Sequence, residues 1–157
     1  MSRIKTCLWY DGRALEAAEF YVSLFADGEI HDVQRYGDAG PGPAGSVMTV
    51  VFTVGGHDLI GLNGGPQFTF GEAISLSVEC DGQAETDRLW NALTADGGEE
   101  SQCGWLKDKY GLSWQIVPTE LTTLLAESDP ETATRVTRAL YGMKRIDIAA
   151  LRAAAEG

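Results

Sequence analysis

Apolar and polar positions along this chain change period twice, each time in the same order. "IKTCLWY" alternates as a strand and stops at the turn pair Asp11-Gly12. "RALEAAEFYVSLF" then sets Ala14, Ala17, Ala18, Tyr21 and Phe25 at helical spacing with Glu16 and Glu19 on the other side, an amphipathic helix with Asp11 near its start as a capping acid. Three strands are predicted after it. "GEIHDVQRY" is mostly polar and therefore exposed, while "SVMTVVFTV" and "HDLIGLN" are joined through Gly55-Gly56 as a hairpin. Between them, "GDAGPGPAG", Gly37 to Gly45, is too rich in glycine and proline for a helix or a ladder and reads as a mobile loop.

The order restarts at Ala73. "AISLSVEC" alternates strictly, with Ile74, Leu76 and Val78 on one face and Ala73, Ser75 and Ser77 on the other. "DGQAETDRLWNALTADGG" supplies an amphipathic helix through Leu89, Trp90 and Leu93, closed by Gly97. "EESQ", "CGWLK" and "LSWQIVP" follow as strands, the last two joined by the turn "DKYG". Strand, helix and three strands, repeated, imply an internal duplication. The predicted fold class is α+β: two βαβββ modules, about 1–65 and 70–118, forming curved mixed sheets around a cavity that is the expected ligand site. Residues 1–118 make this paired domain, and 119–157 a helical extension packed on it or on a dimer, with Asp129 and Asp147 as N-caps and Pro130 at a first helical position. Its apolar positions, among them Leu121, Leu124, Leu125, Val136, Leu140, Ile148 and Leu151, form narrow stripes that need burial.

Charge narrows the partners. The 157 residues carry 23 acidic against 12 basic side chains, a net charge of -11, which repels phosphate backbones and anionic lipid and argues against nucleic-acid and membrane partners. No apolar run reaches membrane length and no secretory h-region opens the chain, so a cytoplasmic protein is expected. Cys7, Cys80 and Cys103 have no CxxC spacing and read as reduced thiols. His31 and His57 lack metal-site spacing, and no nucleophile elbow, phosphate loop or dinucleotide fingerprint occurs. The candidate nucleophiles are Cys103, with Lys107 four residues on, and Cys7. Trp9, Trp105, Trp114 and Phe68 are suited to a core or to the floor of a ligand pocket.

Three segments, "LWYDGRALEAAEFYVSLF", "GLNGGPQFTFGEAISLSVEC" and "CGWLKDKYGLSWQIVP", resemble the PhnB-like branch of the vicinal oxygen chelate superfamily. That group is often labelled 3-demethylubiquinone-9 3-methyltransferase and is related to glyoxalases and bleomycin-resistance proteins. The resemblance runs from roughly Ile4 to Pro118, extends into the helical tail, and implies paired βαβββ modules and a homodimer. In metal-dependent relatives it further implies four ligands from the first and last strands of each module. Those positions here hold Lys5 or Thr6, Gly61, Ala73 and Gln115, none of them a usual divalent-metal ligand. No metal or other cofactor is therefore expected, and metal-stabilised enediolate chemistry has no evident source of charge. A methyltransferase would need a cofactor site that no glycine-rich strand-to-helix loop signals. The expected function is binding of a small, planar or partly apolar molecule in the inter-sheet cavity, lined by Cys7, Trp9, Gly61, Asn63, Phe68, Ala73, Ser75, Ser113 and Gln115. Two alternatives stay open. One is an enzyme of the superfamily (a lyase, an isomerase or the labelled methyltransferase) using a cysteine or neutral polar groups. The other is an interaction or regulatory protein acting through the helical tail.

Overall fold

A computed structural model describes all 157 residues, which fold as two compact units, Met1–Phe70 and Gly71–Gly157. The first contains β1 (Thr6–Tyr10), α1 (Ala14–Leu24), β2 (Glu29–Arg35), β3 (Val47–Val54) and β4 (His57–Asn63). Its sheet has the order β1-β4-β3-β2, with β1 parallel to β4 and the other pairs antiparallel. Leu8, Tyr10, Val50, Phe52 and Leu59 are buried with Ala14, Ala17, Ala18 and Tyr21 of α1, and the run of alanines lets the helix lie close to the strands.

Gly61 takes part in that close approach. A Cβ placed on it would stand 3.2 Å from the Ala14 Cβ, and its register partners Leu8 and Val50 are both buried. Gly61 and Asn63 therefore face α1, which corrects the expectation that they line the open side. The partners Cys7↔Ile60 and Trp9↔Leu62 occupy the open face instead. Matching "LIGL" to a ligand-bearing strand set the parity one residue out, and with a side-chain period of two such a slip exchanges the faces.

Asp11 does not cap α1. Arg13 occupies the N-cap position without a side-chain cap, and the Ala14 amide donates to Asn63 Oδ1 at 2.9 Å while Asn63 Nδ2 donates to the Val47 carbonyl at 3.1 Å. One asparagine thus caps the helix and pins β4 to β3. The glycine-proline loop is held over Tyr36: Tyr36 N donates to Ser46 O and Gly45 N to Tyr36 O, both at 2.8 Å, and Cβ atoms on Gly40 or Gly42 would run into the Tyr36 ring.

The second unit contains β5 (Leu76–Cys80), α2 (Gly82–Thr94), β6 (Glu99–Glu100), β7 (Trp105–Lys107) and β8 (Ser113–Pro118), followed by α3 (Thr119–Glu127), α4 (Pro130–Tyr141) and α5 (Ile148–Glu156). The sheet order β5-β8-β7-β6 repeats that of the first unit, again with the outer β5 parallel to β8. Leu106, Trp114 and Ile116 form the buried face together with Leu89, Trp90 and Leu93 of α2.

The turn between β7 and β8 is built on Asp108, which is 2% exposed. Its Oδ1 accepts from the amides of Tyr110 at 2.8 Å and Leu112 at 3.1 Å, and its Oδ2 accepts from the Trp114 indole at 2.9 Å. A charged acceptor with three donors is compatible with burial, whereas the same carboxylate without them would not be.

The tail belongs with this second unit. Leu121, Val136, Ile146 and Leu151 form its own core, with Val117 of β8 packed against it. Cys103 N donates to Met143 O and Gly104 N to Lys144 O, while Gln83 of α2 donates to Ile146 O and accepts from Ile148 N. Asp129 accepts from Glu131 N and Thr132 N, and Asp147 from Ala150 N, as N-caps. No helix is long and apolar enough to cross a membrane.

Replacing Asp108 by Ala strands two backbone amides and a buried indole N–H, and is expected to lower stability by about 2–4 kcal/mol. Urea unfolding of the variant followed by tryptophan fluorescence checks this, and a midpoint equal to that of the wild type would contradict it.

Candidate functional site on the open sheet faces

Each sheet has one face turned away from its helix. In the first unit that face carries Cys7 and Trp9 of β1 with their register partners Ile60 and Leu62 of β4. The half-buried Trp9 ring is oriented by its indole N–H, which donates to Gly65 O at 2.8 Å, and by an edge-on contact with Phe68, centroids 5.0 Å apart. Phe68 itself is exposed. Toward one end of the face, Thr53 donates to Asp58 at 2.7 Å and lies 2.7 Å from His31 Nε2. With its single hydroxyl hydrogen given to Asp58, Thr53 accepts from His31. That hydrogen bond, aided by the Lys5 charge, holds the Asp58 carboxyl below the usual range.

The open face of the second unit is more polar. Gln115 of β8 stands between Trp105 of β7 and Ser77 of β5, and Ser113 stands opposite Lys107. Gln115 Nε2 donates to Ser75 Oγ at 2.9 Å, which fixes the amide and leaves its carbonyl oxygen available as an acceptor on this face. Lys107 is paired with Glu72. The hydrogen bond and charge of each partner raise the Lys107 ammonium and lower the Glu72 carboxyl from their ordinary values.

Of the residues expected at the site, Ser75, Ser113 and Gln115 are thus gathered on one face, and Cys7, Trp9 and Phe68 around another. Gly61 and Asn63 lie on the helix side of their sheet, and Ala73 sits exposed in the turn before β5. Trp105 and Lys107 were missing from the expected lining. The alternation of "WLK" puts Trp105 and Lys107 on one side, but the side is decided by the register, which pairs Lys107 with Ser113 and leaves Asp108 to Leu112 as the connection rather than "DKYG" alone.

The positions do not fit a divalent metal. Gln115 presents a neutral amide already tied to Ser75, any side chain at Gly61 would meet Ala14, Ala73 has no donor, and the Thr6 hydroxyl is 3.0 Å from His57 Nε2. No group of three or more His, Cys, Asp or Glu side chains is arranged to hold a metal ion.

The three thiols differ in setting: Cys7 is exposed on the open face, Cys80 is buried and Cys103 is half-buried. Burial pushes Cys80 up to about 11, and desolvation raises Cys7 as well. Cys103 holds a left-handed backbone, φ 57°, in the turn that receives the tail, and its suggested neighbour Lys107 is occupied by Glu72.

Two larger cavities lie off these faces. One of about 660 Å³ sits under the glycine-proline loop of the first unit. Tyr36, Asn63 and Ser46 of its lining are used internally, Tyr36 donating to Asn63 O, Asn63 capping α1 and Ser46 donating to Pro43 O. The other, about 620 Å³, follows the seam where the tail meets α2; of its three cations, Arg145 and Lys144 are matched by Asp87 at 3.3 Å and Glu100 at 3.9 Å, and Arg152 is exposed.

Two βαβββ modules with this strand order define a vicinal-oxygen-chelate protein of glyoxalase-like fold. The chain belongs to the 3-demethylubiquinone-9 3-methyltransferase family, the PhnB-like group, whose model matches residues 2–117. It is similar to a PhnB protein from Bacillus cereus, with 36% identity over 74% of this chain and 99% of that one and a TM-score of 0.68. It is also similar to the protein PA1353 from Pseudomonas aeruginosa, with 25% identity over 75% of this chain and 98% of that one and a TM-score of 0.62. No curated protein matches. The family match ends at residue 117, so helices α3 to α5 lie outside it.

Iodoacetamide labelling across pH is expected to show Cys7 and Cys80 reacting slowly at neutral pH and accelerating only in the alkaline range, Cys80 last, because the thiolate is the reacting species. Rapid labelling of either one below pH 7 would instead support a thiol enzyme.

Proposed function

We propose that this protein binds a small organic molecule on its open sheet faces without a resident metal, and that it does so as a two-fold dimer. The observation that carries the reading is Gln115: a half-buried amide fixed by Ser75 and flanked by Trp105, at a position where metal-using relatives are implied to place a carboxylate. An amide both donates and accepts, so it suits a neutral carbonyl, amide or hydroxyl group on the ligand. The Trp105 ring beside it offers an apolar surface for a planar body. On the first unit, Trp9, Phe68, Ile60 and Leu62 provide a second apolar surface of the same kind.

A methyltransferase, as the family description has it, would require a bound methyl donor. In the loop-covered cavity of the first unit, Tyr36 and Asn63 are committed to loop closure and helix capping, and that commitment supports the binding reading over a methyl-donor site there.

The test is a panel of neutral planar compounds, indole and 2-naphthol among them, followed by nitrogen–proton correlation spectra of the full chain. Binding is expected to shift the Trp105 indole and Gln115 side-chain signals, assigned with Trp105→Phe and Gln115→Ala. Affinity is expected to fall about three- to tenfold in Gln115→Ala, the size of one lost hydrogen bond. Compounds that shift neither signal, or bind Gln115→Ala equally well, would contradict the reading.

A further inference from the structure

Beside the Gln115 face of the second unit lies a small pocket of about 170 Å³. Ser113 lines it, and its hydroxyl oxygen is buried with no hydrogen-bond partner. The fold does not account for this, since Ser113 sits in regular register opposite Lys107 and an alanine would fill the same place. A buried hydroxyl left unpaired is destabilising, and native proteins keep such groups where something outside the fold satisfies them.

The walls say what that something is. Besides Ser113, the pocket is lined by Glu72, Glu99, Glu100, Lys107 and Trp105, so three carboxylates meet one ammonium. Lys107 is taken by Glu72. Glu100 accepts from the Trp90 indole at 2.8 Å and has Lys144 at 3.9 Å. Glu99 makes no ion pair or side-chain hydrogen bond, although its charge helps to raise Lys107. The buried unfilled acceptor is thus the Ser113 hydroxyl and the unpaired charge is the Glu99 carboxylate, in a locally negative field, with the exposed Ser101 hydroxyl also at the rim. A group with several N–H donors and a positive charge satisfies both, whereas an anion is repelled. A divalent ion such as calcium needs six or more oxygen ligands, and no group of three suitable side chains is assembled here.

We infer that this pocket receives the primary ammonium group of an organic ligand, with Ser113 and Glu99 as its acceptors. This rests on the small-molecule reading above and adds the ligand's charged head. The body of such a ligand would extend over Trp105 toward Gln115.

The experiment is calorimetric titration of the full chain, at constant ionic strength, with n-butylammonium chloride, 1-butanol, sodium butyrate and calcium chloride. Only butylammonium is expected to bind saturably. Ser113→Ala and Glu99→Gln are each expected to weaken it about tenfold or more, as for a lost hydrogen bond to a charged group. Ser113→Ala is also expected to unfold at the wild-type urea concentration or higher, because it removes an unpaired hydroxyl, so lost binding in that variant is not lost folding. Absence of saturable butylammonium binding, equal affinity in both variants, or Ser113-dependent binding of butyrate or calcium would overturn the inference. If neutral planar probes still bind in a Gln115-dependent way, such a result overturns the ammonium head alone. If they do not, the small-molecule reading falls with it.

Discussion

Asp108 sits at the corner where β7 turns into β8, and the geometry of the second unit's open face follows from how that buried carboxylate is satisfied. Its two oxygens take the amides of Tyr110 and Leu112 and the indole of Trp114. The amide bonds set the turn, and the turn sets the register that puts Trp105 opposite Gln115 and Lys107 opposite Ser113. The indole bond anchors Trp114 on the helix side, which by strand alternation commits Ser113 and Gln115 to the other. A charge buried with three donors is a strict device, because moving any of them leaves a polar group unpaired in a low dielectric. The side chains of that face are therefore placed by the turn, which is the pre-organisation that the proposed binding role requires.

Charge on that face is arranged so that the recognition group itself is neutral. Lys107 and Glu72 cancel one another, and Gln115 stands where the superfamily's metal chemistry would call for a carboxylate. The remaining polarity consists of hydroxyls at Ser75, Ser77 and Ser113 around Gln115, and of the unpaired Glu99 carboxylate at the outer edge beside Lys107. Such a surface discriminates by the pattern of donors and acceptors on a ligand more than by polarising it.

The elements were largely legible because each depends on local periodicity. Ala14, Ala17, Ala18 and Tyr21 repeat at helical spacing, Leu76 to Cys80 alternate, and Asp129 and Asp147 announce their helices. The features that escaped depend on long-range partners. Asp11 looked like the cap of α1 because it is close in sequence, but the acceptor comes from Asn63 on β4. Gly61 looked like vacated ligand space, yet it is small because α1 lies against it, and strand parity cannot be fixed by likeness of a four-residue string alone. On β8 the resemblance implies that Gln115 and Ser113 share a face, and the burial of Trp114 and Ile116 against the helix side agrees with that alternation. Trp105 was quoted but not placed, since its face is decided only once the hairpin register is known.

The claim on which all of this turns is that Gln115 marks a binding face with no resident metal. Elemental analysis of the purified full chain by inductively coupled plasma mass spectrometry, before and after incubation with zinc, nickel and iron(II) and desalting, tests it directly. The account predicts well under one ion per chain in every case, with Gln115→Ala no different from wild type. One equivalent of a transition metal that is retained by the wild type and lost in Gln115→Ala would contradict it.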